Sequence, residues 1–411
     1  MKNHICLFED EFYTNLLPIV YTRPVYDLRC GILTLREKIE VYLGKVTFLH
    51  TRKRLENILK ENNPECKINC FNADEILFIN GRLLPNKNII RLIKNLGKDS
   101  ILKNDSSVVA ARLSKNYLQK IFTDNTEFPL FESLNLPIQN CEAYLNQYIW
   151  DLINKNGEEI KSDYDYLVKK NSSRVIKFVE KKNSKSIFIS KDAIIDPFVY
   201  LDASNGPIFI DKNFHVMSHT LIQGPTFIGK NSLIKAHSKI YHETSIGPSC
   251  KIGGEVESSI IKSFSNKQHE GFLGHAYLGS WVNLGADTNN SNLKNNYASI
   301  QVLLNGKNHD TGSRFMGLIM GDHSKTAINT MFNTGTIVGV SCNIFGAGFP
   351  PRYIPSFSWG GSDFLRNYDI EKSLEVARIV YSRRGLSLSP ADELLLRDIY
   401  ESTKSERVKK K

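Results

Sequence analysis

The chain of 411 residues is long enough for two or three hydrophobic cores, and its 41% hydrophobic and 23% charged residues are typical of a globular protein. Its net charge of +10 comes from 53 Lys and Arg against 43 Asp and Glu. Because the basic residues are dispersed rather than set in an aromatic-rich stripe, we expect no nucleic-acid partner and interpret the excess charge as background with a bias toward phosphorylated ligands. Acidic residues near the start (Glu9, Asp10, Glu11), seven scattered cysteines and the lack of an apolar run of about 20 residues predict a cytoplasmic protein without a secretory leader, a disulfide framework or a membrane span.

The first segment, residues 1–183, alternates short apolar runs with stretches of helical periodicity. Candidate strands lie at residues 4–8, 45–49, 75–79 and 108–113, and candidate helices at residues 33–43 and 54–61. Strands that alternate with helices indicate βαβ units, so we expect an α/β domain with a mostly parallel sheet. The polar stretch 171–186 predicts the end of this domain.

An aliphatic side chain recurs at every sixth position in the second segment, residues 187–355. The uninterrupted series is Ile210, Val216, Ile222, Ile228, Ile234, Ile240, Ile246 and Ile252. A period of six fits neither a helix nor an ordinary strand and is typical of a parallel β-helix made of hexapeptide repeats. The frame is interrupted at residues 262–269 and 289–314, and loops that leave a solenoid on one face often carry binding sites.

The third segment, residues 356–411, returns to helical periodicity. One helical face carries the apolar residues Ile370, Leu374, Ala377 and Val380. Ser389 followed by Pro390 is the start signal of a second helix. We expect these helices either to close the exposed end of the β-helix or to pack on a neighbouring subunit.

The most polar part of the solenoid follows its first interruption. Lys267, His269 and His275 fall within nine residues there. A histidine on a rigid scaffold can act as a general base near neutral pH, because its ordinary pKa is about 6.5. Taken alone, however, a histidine in a solenoid is more often a corner or stacking residue than a catalyst.

Two short motifs in this stretch resemble a known family. His269-x-x-Phe272-Leu273-Gly274 and Val282-Asn283-Leu284-Gly285-Ala286 resemble the acetyltransferase half of the bifunctional N-acetylglucosamine-1-phosphate uridylyltransferase/glucosamine-1-phosphate acetyltransferase family, which reads His-x-x-Tyr-Leu-Gly and Val-Asn-Ile-Gly-Ala-Gly. The five-residue step from Leu273 to Leu278 is shared as well. That family is a left-handed β-helix trimer, so the resemblance implies a left-handed parallel β-helix and a homotrimer.

The same resemblance implies roles for individual residues. His269 would be the general base that deprotonates a sugar amine for attack on acetyl-CoA. The residues implied in binding are Phe272, Asn283 and Lys267 for the sugar phosphate, and Ala286 and Asn292 for the acyl-CoA groove between subunits.

Three positions depart from the family pattern. Phe272 lacks the hydroxyl of the family's Tyr, while Tyr241 and Ser259 align where the family has the Arg and Lys that hold phosphate. A lysine from a neighbouring turn would restore the missing charge. The candidates are Lys239, Lys262 and Lys267.

Residues 17–38 and the stretch Trp150-Asp151-Leu152-x-x-x-Asn156 resemble a branch of sugar nucleotidyltransferase-like proteins that also carry a β-helix. The resemblance implies a nucleotidyltransferase-like α/β domain that takes a sugar phosphate and a nucleoside triphosphate. Such chemistry needs cations on the triphosphate and a carboxylate-held Mg²⁺. The candidates are Arg23, Arg29 and Lys38 for the nucleotide, and Asp10, Asp27 and Asp151 for the metal.

The N-terminal segment also departs from the usual nucleotidyltransferase. After the first strand the chain reads Phe8-Glu9-Asp10-Glu11-Phe12, where a Gly-rich phosphate loop is usual, and Arg82 stands where the family has its metal-binding Asp. A degenerate binding or regulatory domain is therefore an equal alternative for this half.

Three functions remain open from the sequence. The leading one is a transferase of nucleotide-sugar metabolism, in a pathway of the UDP-N-acetylglucosamine type, that combines both activities. Its rival is a non-catalytic trimeric β-helix platform with a sugar-nucleotide sensor domain. A carbonic-anhydrase-like β-helix would need three converging metal-binding histidines, for which the candidates are His215, His219, His237 and His242.

Overall fold

The N-terminal part of the computed structural model is an α/β unit built on one seven-stranded sheet. The structure describes residues 4–122, 126–168 and 176–407. The strands are β1 (His4–Phe8), β2 (Phe48–Leu49), β3 (Lys67–Ile68), β4 (Glu75–Asn80), β5 (Ser100–Lys103), β6 (Val108–Ser114) and β7 (Ile138–Asn140). Their order is β3-β2-β1-β4-β6-β5-β7, and only β6 runs antiparallel to its neighbours, which confirms the mostly parallel sheet.

Five α-helices accompany this sheet in the part of the chain that the structure describes. They are α1 (Leu35–Leu43), α2 (Glu56–Asn62), α3 (Lys87–Lys94), α4 (Lys115–Leu118) and α5 (Ile149–Leu167). The first begins two residues later than predicted because Thr34 and Glu37 form a reciprocal cap, in which each side chain accepts from the other's backbone N–H. Among the described residues, no helix has the length and apolarity needed to cross a bilayer.

The β-helix has three faces made of short stacked strands. We name them the asparagine face, the phenylalanine face and the docking face. The asparagine face contains Ile194–Ile195, His215–Val216, Leu233–Ile234, Lys251–Ile252, Asn266–Lys267, Lys325–Thr326, Asn343–Ile344, Ser358–Gly360 and Leu365–Asn367. The phenylalanine face contains Glu180–Lys182, Tyr200–Asp202, Leu221–Gln223, Lys239–Ile240, Glu255–Glu257 and Phe272–Gly274, with Asn289–Asn290 and Met331–Phe332 pairing beyond it. The docking face contains Ile187–Ile189, Ile208–Ile210, Thr226–Ile228, Thr244–Ile246, Ile260–Ile261, Tyr277–Leu278, Ile319–Met320, Ile337–Val338 and Tyr353–Ile354.

The residues that recur at every sixth position form the interior of this β-helix. All eight residues from Ile210 to Ile252 in the predicted series have 0% exposure and belong to one core cluster. The five-residue step keeps Leu273 and Leu278 inside as well, each at 1% exposure. A coil cannot bury its apolar side chains alone, so stacking of coils supplies the core. The predicted parallel β-helix is confirmed.

One insertion leaves the β-helix and reaches the N-terminal domain. It contains an antiparallel hairpin, Gln301–Leu304 and Lys307–Asp310. The Asn305 amide donates to the carbonyl of Thr14 at 3.0 Å, and the His309 ring lies 3.3 Å from the Tyr148 hydroxyl. The second predicted interruption is therefore a domain contact.

The C-terminal helices are α6 (Ile370–Ser382) and α7 (Pro390–Ser402). Ser389 caps α7 as predicted, its hydroxyl accepting from the N–H of Asp392 at 3.1 Å. Instead of closing the end of the β-helix, the two helices pack at the junction of the domains. Leu395, Leu396 and Ile399 join the hydrophobic core of the N-terminal domain, because the apolar face of α7 packs against α2.

The junction is fixed by a buried ion pair. Arg23 of the N-terminal domain is paired with Asp322 of the β-helix, with side-chain exposures of 11% and 5%. Thr22 donates to the same carboxylate at 2.8 Å, and Arg23 donates to Ser280 at 3.2 Å. Tyr277 of the docking face lies in the same core cluster as the N-terminal apolar residues. The two halves are thus packed together rather than tethered.

Candidate active site

His269 lies on the turn between the asparagine face and the phenylalanine face and is exposed. Its imidazole makes no hydrogen bond to any residue that the structure describes, so both ring nitrogens are available to a ligand. Its backbone is held: the Lys267 ammonium donates to the carbonyl of His269 at 3.0 Å and to that of Gly253 at 2.8 Å. A free imidazole on a fixed backbone is suitable for a general base.

Lys267 occupies an interior position of the β-helix rather than a site on the surface. Its register partner one coil earlier is Ile252, and its exposure is 2%. Burial lowers the pKa of Lys267 to about 8, since a charged form is costly away from water. The predicted contact with the sugar phosphate is therefore not supported, because the six-residue period points this side chain inward. Lys267 positions the turn of His269 instead.

Phe272 and Asn292, predicted separately, meet around Gly274. A Cβ on Gly274 would lie 2.4 Å from the Phe272 ring and 2.7 Å from the Asn292 amide nitrogen, so a larger residue here would displace one of these two side chains. The backbone of the strand is clamped by two asparagines that the sequence analysis missed. Asn289 accepts from the N–H of Phe272 at 2.7 Å, and Asn290 accepts from that of Gly274 at 3.0 Å.

Asn283 faces outward on the asparagine face, whereas Phe272 lies on the phenylalanine face across the His269 turn. Asn283 bridges the backbones of Asn266 and Lys325, and its Oδ1 lies 3.4 Å from the Asn266 amide nitrogen. Ala286 lies on the following turn, where its carbonyl accepts from the N–H of Asn329 at 2.8 Å. The predicted residues therefore lie on both faces beside the His269 turn.

His275 is a structural residue. Its Nδ1 is 3.0 Å from the amide of Asn292, and its ring stacks on Phe315 at 4.9 Å. Burial lowers the pKa of His275 to about 4. It is neutral at physiological pH and already engaged, which leaves His269 as the available base.

The lysines that were left open as phosphate anchors differ in accessibility. Lys262 donates to the carbonyl of Asp27 inside a 290 Å³ cavity at the domain junction, where burial and then Arg23 lower its pKa to about 7. Lys267 is interior. Lys239 is half-exposed on the phenylalanine face, in register with Glu255 and through it with Phe272. Of the three, Lys239 alone is exposed on the face of Phe272, two strands away and 3.9 Å from the Glu255 carboxylate.

The cations predicted to bind the nucleotide are all engaged within the protein. Arg23 is in the junction ion pair. Arg29 donates to the carbonyl of Ile32 and lies 5.1 Å from the centre of the Phe227 ring. Lys38 is 2% exposed and bonded to Glu159 and Asp163 of α5. Their role here is to join α1, α5 and the β-helix, which the sequence pattern could not distinguish from ligand binding.

The predicted metal ligands do not converge. Asp10 pairs with buried Arg82, the residue that replaces the family's metal-binding Asp. Asp151 caps α5 by accepting from the N–H groups of Gln147 and Tyr148. Asp27 lines the junction cavity, where burial raises its pKa. The described residues contain no group of three His, Cys, Asp or Glu that fits a metal ion, so these carboxylates do not form the implied Mg²⁺ site.

The four histidines considered for a zinc site also have other contacts. His215 bonds to Asp196 at 3.0 Å, and His242 lies 3.6 Å from Glu257. His219 and His237 stack on each other at 5.1 Å.

A cavity of about 500 Å³ at the carboxyl ends of β2 and β3 was missed by the sequence analysis. Its wall contains stacked rings: Phe71 and Phe122 lie 4.9 Å apart, and His50 and Phe122 lie 5.1 Å apart. Nδ1 of His50 is buried without a partner among the described residues, and burial lowers the pKa of this histidine to about 4. Ligands of parallel α/β sheets bind at this edge, so the residues that directly follow each strand were the available signal.

Comparison with known proteins gives a family match to the N-terminal part and partial matches to bifunctional proteins. Residues 5–172 match the model of a family described as sugar nucleotidyl transferase. A bifunctional sugar-1-phosphate nucleotidylyltransferase/acetyltransferase of Sulfurisphaera tokodaii is 32% identical over 97 residues, which are 23% of this chain and 24% of that protein. The bifunctional protein GlmU of Methanocaldococcus jannaschii is 29% identical over 145 residues, 35% of this chain and 28% of that protein.

The chain therefore spans about a quarter of the length of these relatives. Among solved structures, the UDP-N-acetylglucosamine acyltransferase of Francisella novicida is 16% identical, with 56% of this chain and 78% of that chain covered and a TM-score of 0.32. That superposition is too loose to bear on the fold, which rests on the strand pairing. Residues 5–172 are thus similar to the sugar nucleotidyl transferase family, and part of the chain is similar to bifunctional nucleotidylyltransferase/acetyltransferase proteins.

Proposed function

We propose that this protein is a transferase of nucleotide-sugar metabolism whose β-helix transfers an acetyl group from acetyl-CoA to an amino-sugar phosphate. The observation that carries this proposal is the free His269 imidazole on a turn held by the buried Lys267 ammonium. Phe272 and Asn283 flank that turn on two faces. The proposed reaction belongs to a pathway of the UDP-N-acetylglucosamine type, and its substrates are cytoplasmic.

In the proposed reaction, His269 accepts a proton from the amine of the sugar as the nitrogen attacks the thioester carbonyl. A C–N bond forms and the C–S bond breaks, and the proton on the imidazolium goes to the departing CoA thiolate. General base catalysis of this kind contributes about 10²–10⁴-fold. Ala286 and Asn292 are proposed to line the groove for acetyl-CoA. A thiol-release assay with glucosamine 1-phosphate and other amino-sugar phosphates tests the activity.

A homotrimer is part of the proposal. A ladder of aromatic rings runs along the same corner of the β-helix as His269 and consists of Phe178, Phe198, His219 and His237. Phe178 is 72% exposed and Phe198 is 62% exposed, which is typical of a surface that a partner covers. Analytical ultracentrifugation of the full chain tests this assembly.

Lys239→Ala should raise the KM for a phosphorylated acceptor about tenfold, with little change in kcat. The reason is that Lys239 is the half-exposed cation on the face of Phe272, where, among the described residues, only the 3.9 Å pair with Glu255 engages its ammonium, and a charge-assisted bond to phosphate contributes roughly 1.5–3 kcal/mol. Steady-state thiol release measures both constants. Lys235→Ala, on the preceding turn, is the control. An equal rise in KM for the acceptor without phosphate would contradict this role.

For the N-terminal domain we propose that the cavity beside His50 binds the base of a nucleoside triphosphate or nucleotide sugar. Phe71→Ala should weaken nucleotide binding about tenfold or more, because stacking on one aromatic ring contributes roughly 1–3 kcal/mol. Titration calorimetry of the full chain measures the affinity, with Phe178→Ala as the control. Unchanged affinity would remove the cavity from nucleotide binding.

Pyrophosphate release from paired nucleoside triphosphates and sugar 1-phosphates, with and without Mg²⁺, tests whether this domain catalyses nucleotidyl transfer. Binding without release would favour a sensor domain. If thiol release were also absent from a folded trimer, the non-catalytic platform would be the better description.

A further inference from the structure

A row of outward-facing residues on the asparagine face carries positive charge and amides but no carboxylate. In register, the row reads Leu233, Lys251, Asn266, Asn283, Lys325 and Asn343. Lys325 turns its ammonium back to the carbonyl of His323 at 2.8 Å, so it does not extend over the row. Lys251 and the two central asparagines remain partly exposed. Such a row favours an anion.

The turn that connects α6 and α7 places the guanidinium of Arg384 against this row. Arg384 donates from Nη2 to Oδ1 of Asn266 at 2.9 Å, and the Asn266 amide in turn lies 3.4 Å from Oδ1 of Asn283. No carboxylate of the described residues pairs with Arg384. Because a guanidinium has five N–H donors, most of its capacity is unused.

The position of Arg384 is fixed by the end of α6, which it follows by two residues. Its backbone N–H donates to the carbonyl of Tyr381 at 2.8 Å, and the Tyr381 ring stacks on Trp281 at 4.1 Å. Trp281 precedes Asn283 by two residues on the same coil. The turn between α6 and α7 therefore holds the Arg384 guanidinium over the coil that carries Asn283.

We infer that Arg384 and Lys251, with the amides of Asn266 and Asn283, form a subsite for a second anionic group of the acceptor, a phosphate or a carboxylate. This inference rests on the proposed acyl transfer. The subsite is separate from Lys239, because the two lie on different faces of the β-helix with the turn of His269 between them. Arg384 fits the role because its planar fork binds either group with two hydrogen bonds.

The test is titration calorimetry on the full chain without acetyl-CoA, so that binding is measured whether or not acyl transfer occurs. The probes are glucosamine 1-phosphate, glucosamine 1,6-bisphosphate and the 1-phosphate of 2-amino-2-deoxyglucuronic acid. We expect at least one of the two doubly anionic probes to bind about tenfold more tightly than the first. Which of them gains affinity distinguishes phosphate from carboxylate.

That gain should disappear in Arg384→Ala, shrink in Lys251→Ala and return in part in Arg384→Lys. Arg383→Ala is the matched control, because Arg383 is the exposed neighbour at the same helix end. Absence of the gain in the unaltered protein, or its persistence in Arg384→Ala, would overturn the inference. Failure of acyl transfer is seen separately in the thiol-release assay.

Discussion

His269→Ala is expected to lower acetyl transfer by about 10²–10⁴-fold while leaving the fold and the assembly intact. The side chain is exposed and makes no hydrogen bond to the described residues, so its removal costs no packing. Lys267 still holds the backbone of the turn in this variant. Thiol release at saturating acetyl-CoA gives kcat, and sedimentation velocity reports the assembly.

His215→Ala is the matched control for this experiment, since it removes a partly exposed histidine from the same β-helix. Its turnover should stay within about twofold of the unaltered protein. Turnover that persists in His269→Ala would mean that this residue is not the base. The nearby alternative, His275, is already bonded to Asn292 and stacked on Phe315.

The β-helix could be predicted from the sequence because its period is a property of single residues. Every sixth side chain points inward, so the repeat of Ile and Val alone revealed the fold and placed Leu273 and Leu278 correctly across the stutter. The same rule, applied without exception, would also have placed Lys267 inside. Its positive charge suggested a phosphate contact, whereas the register with Ile252 decides its direction.

The candidate nucleotide site could not be predicted in the same way because it depends on pairs of residues that are distant in the chain. Asp10 and Arg82 were each recognised as unusual, but only the fold shows that they are partners: Asp10 follows β1, Arg82 follows β4, and these strands are neighbours. Buried Glu9 pairs with buried Arg52 next to them. Two ion pairs, Asp10 with Arg82 and Glu9 with Arg52, therefore occupy the edge where a usual nucleotidyltransferase has its phosphate loop and its metal ligand. The aromatic cavity beside His50 is an opening at that edge.

Arg23→Ala should be the most destabilising of the substitutions considered, at about 3–5 kcal/mol, because it leaves the Asp322 carboxylate buried without its partner. Burial alone would raise the pKa of Asp322, but the Arg23 guanidinium outweighs it and holds that pKa below its ordinary value. The ion pair therefore stabilises the protein above the unfolded pKa of about 3.9, and this contribution is lost as the pH falls through the lower folded pKa.

Thermal unfolding followed by calorimetry measures this effect, and we expect the domains to separate into two transitions with the first at lower temperature. The double variant Arg23→Met/Asp322→Leu is the matched control. It removes both charges, and replacing a buried ion pair by apolar residues of similar volume is often neutral. It should therefore recover most of the stability that Arg23→Ala loses. If Arg23→Ala unfolded at the same temperature as the unaltered chain, the ion pair would not be what couples the β-helix to the N-terminal domain. If the double variant were as unstable as Arg23→Ala, the contacts of Arg23 with Ser280 and the carbonyl of Ile19 would be the stronger part of the junction.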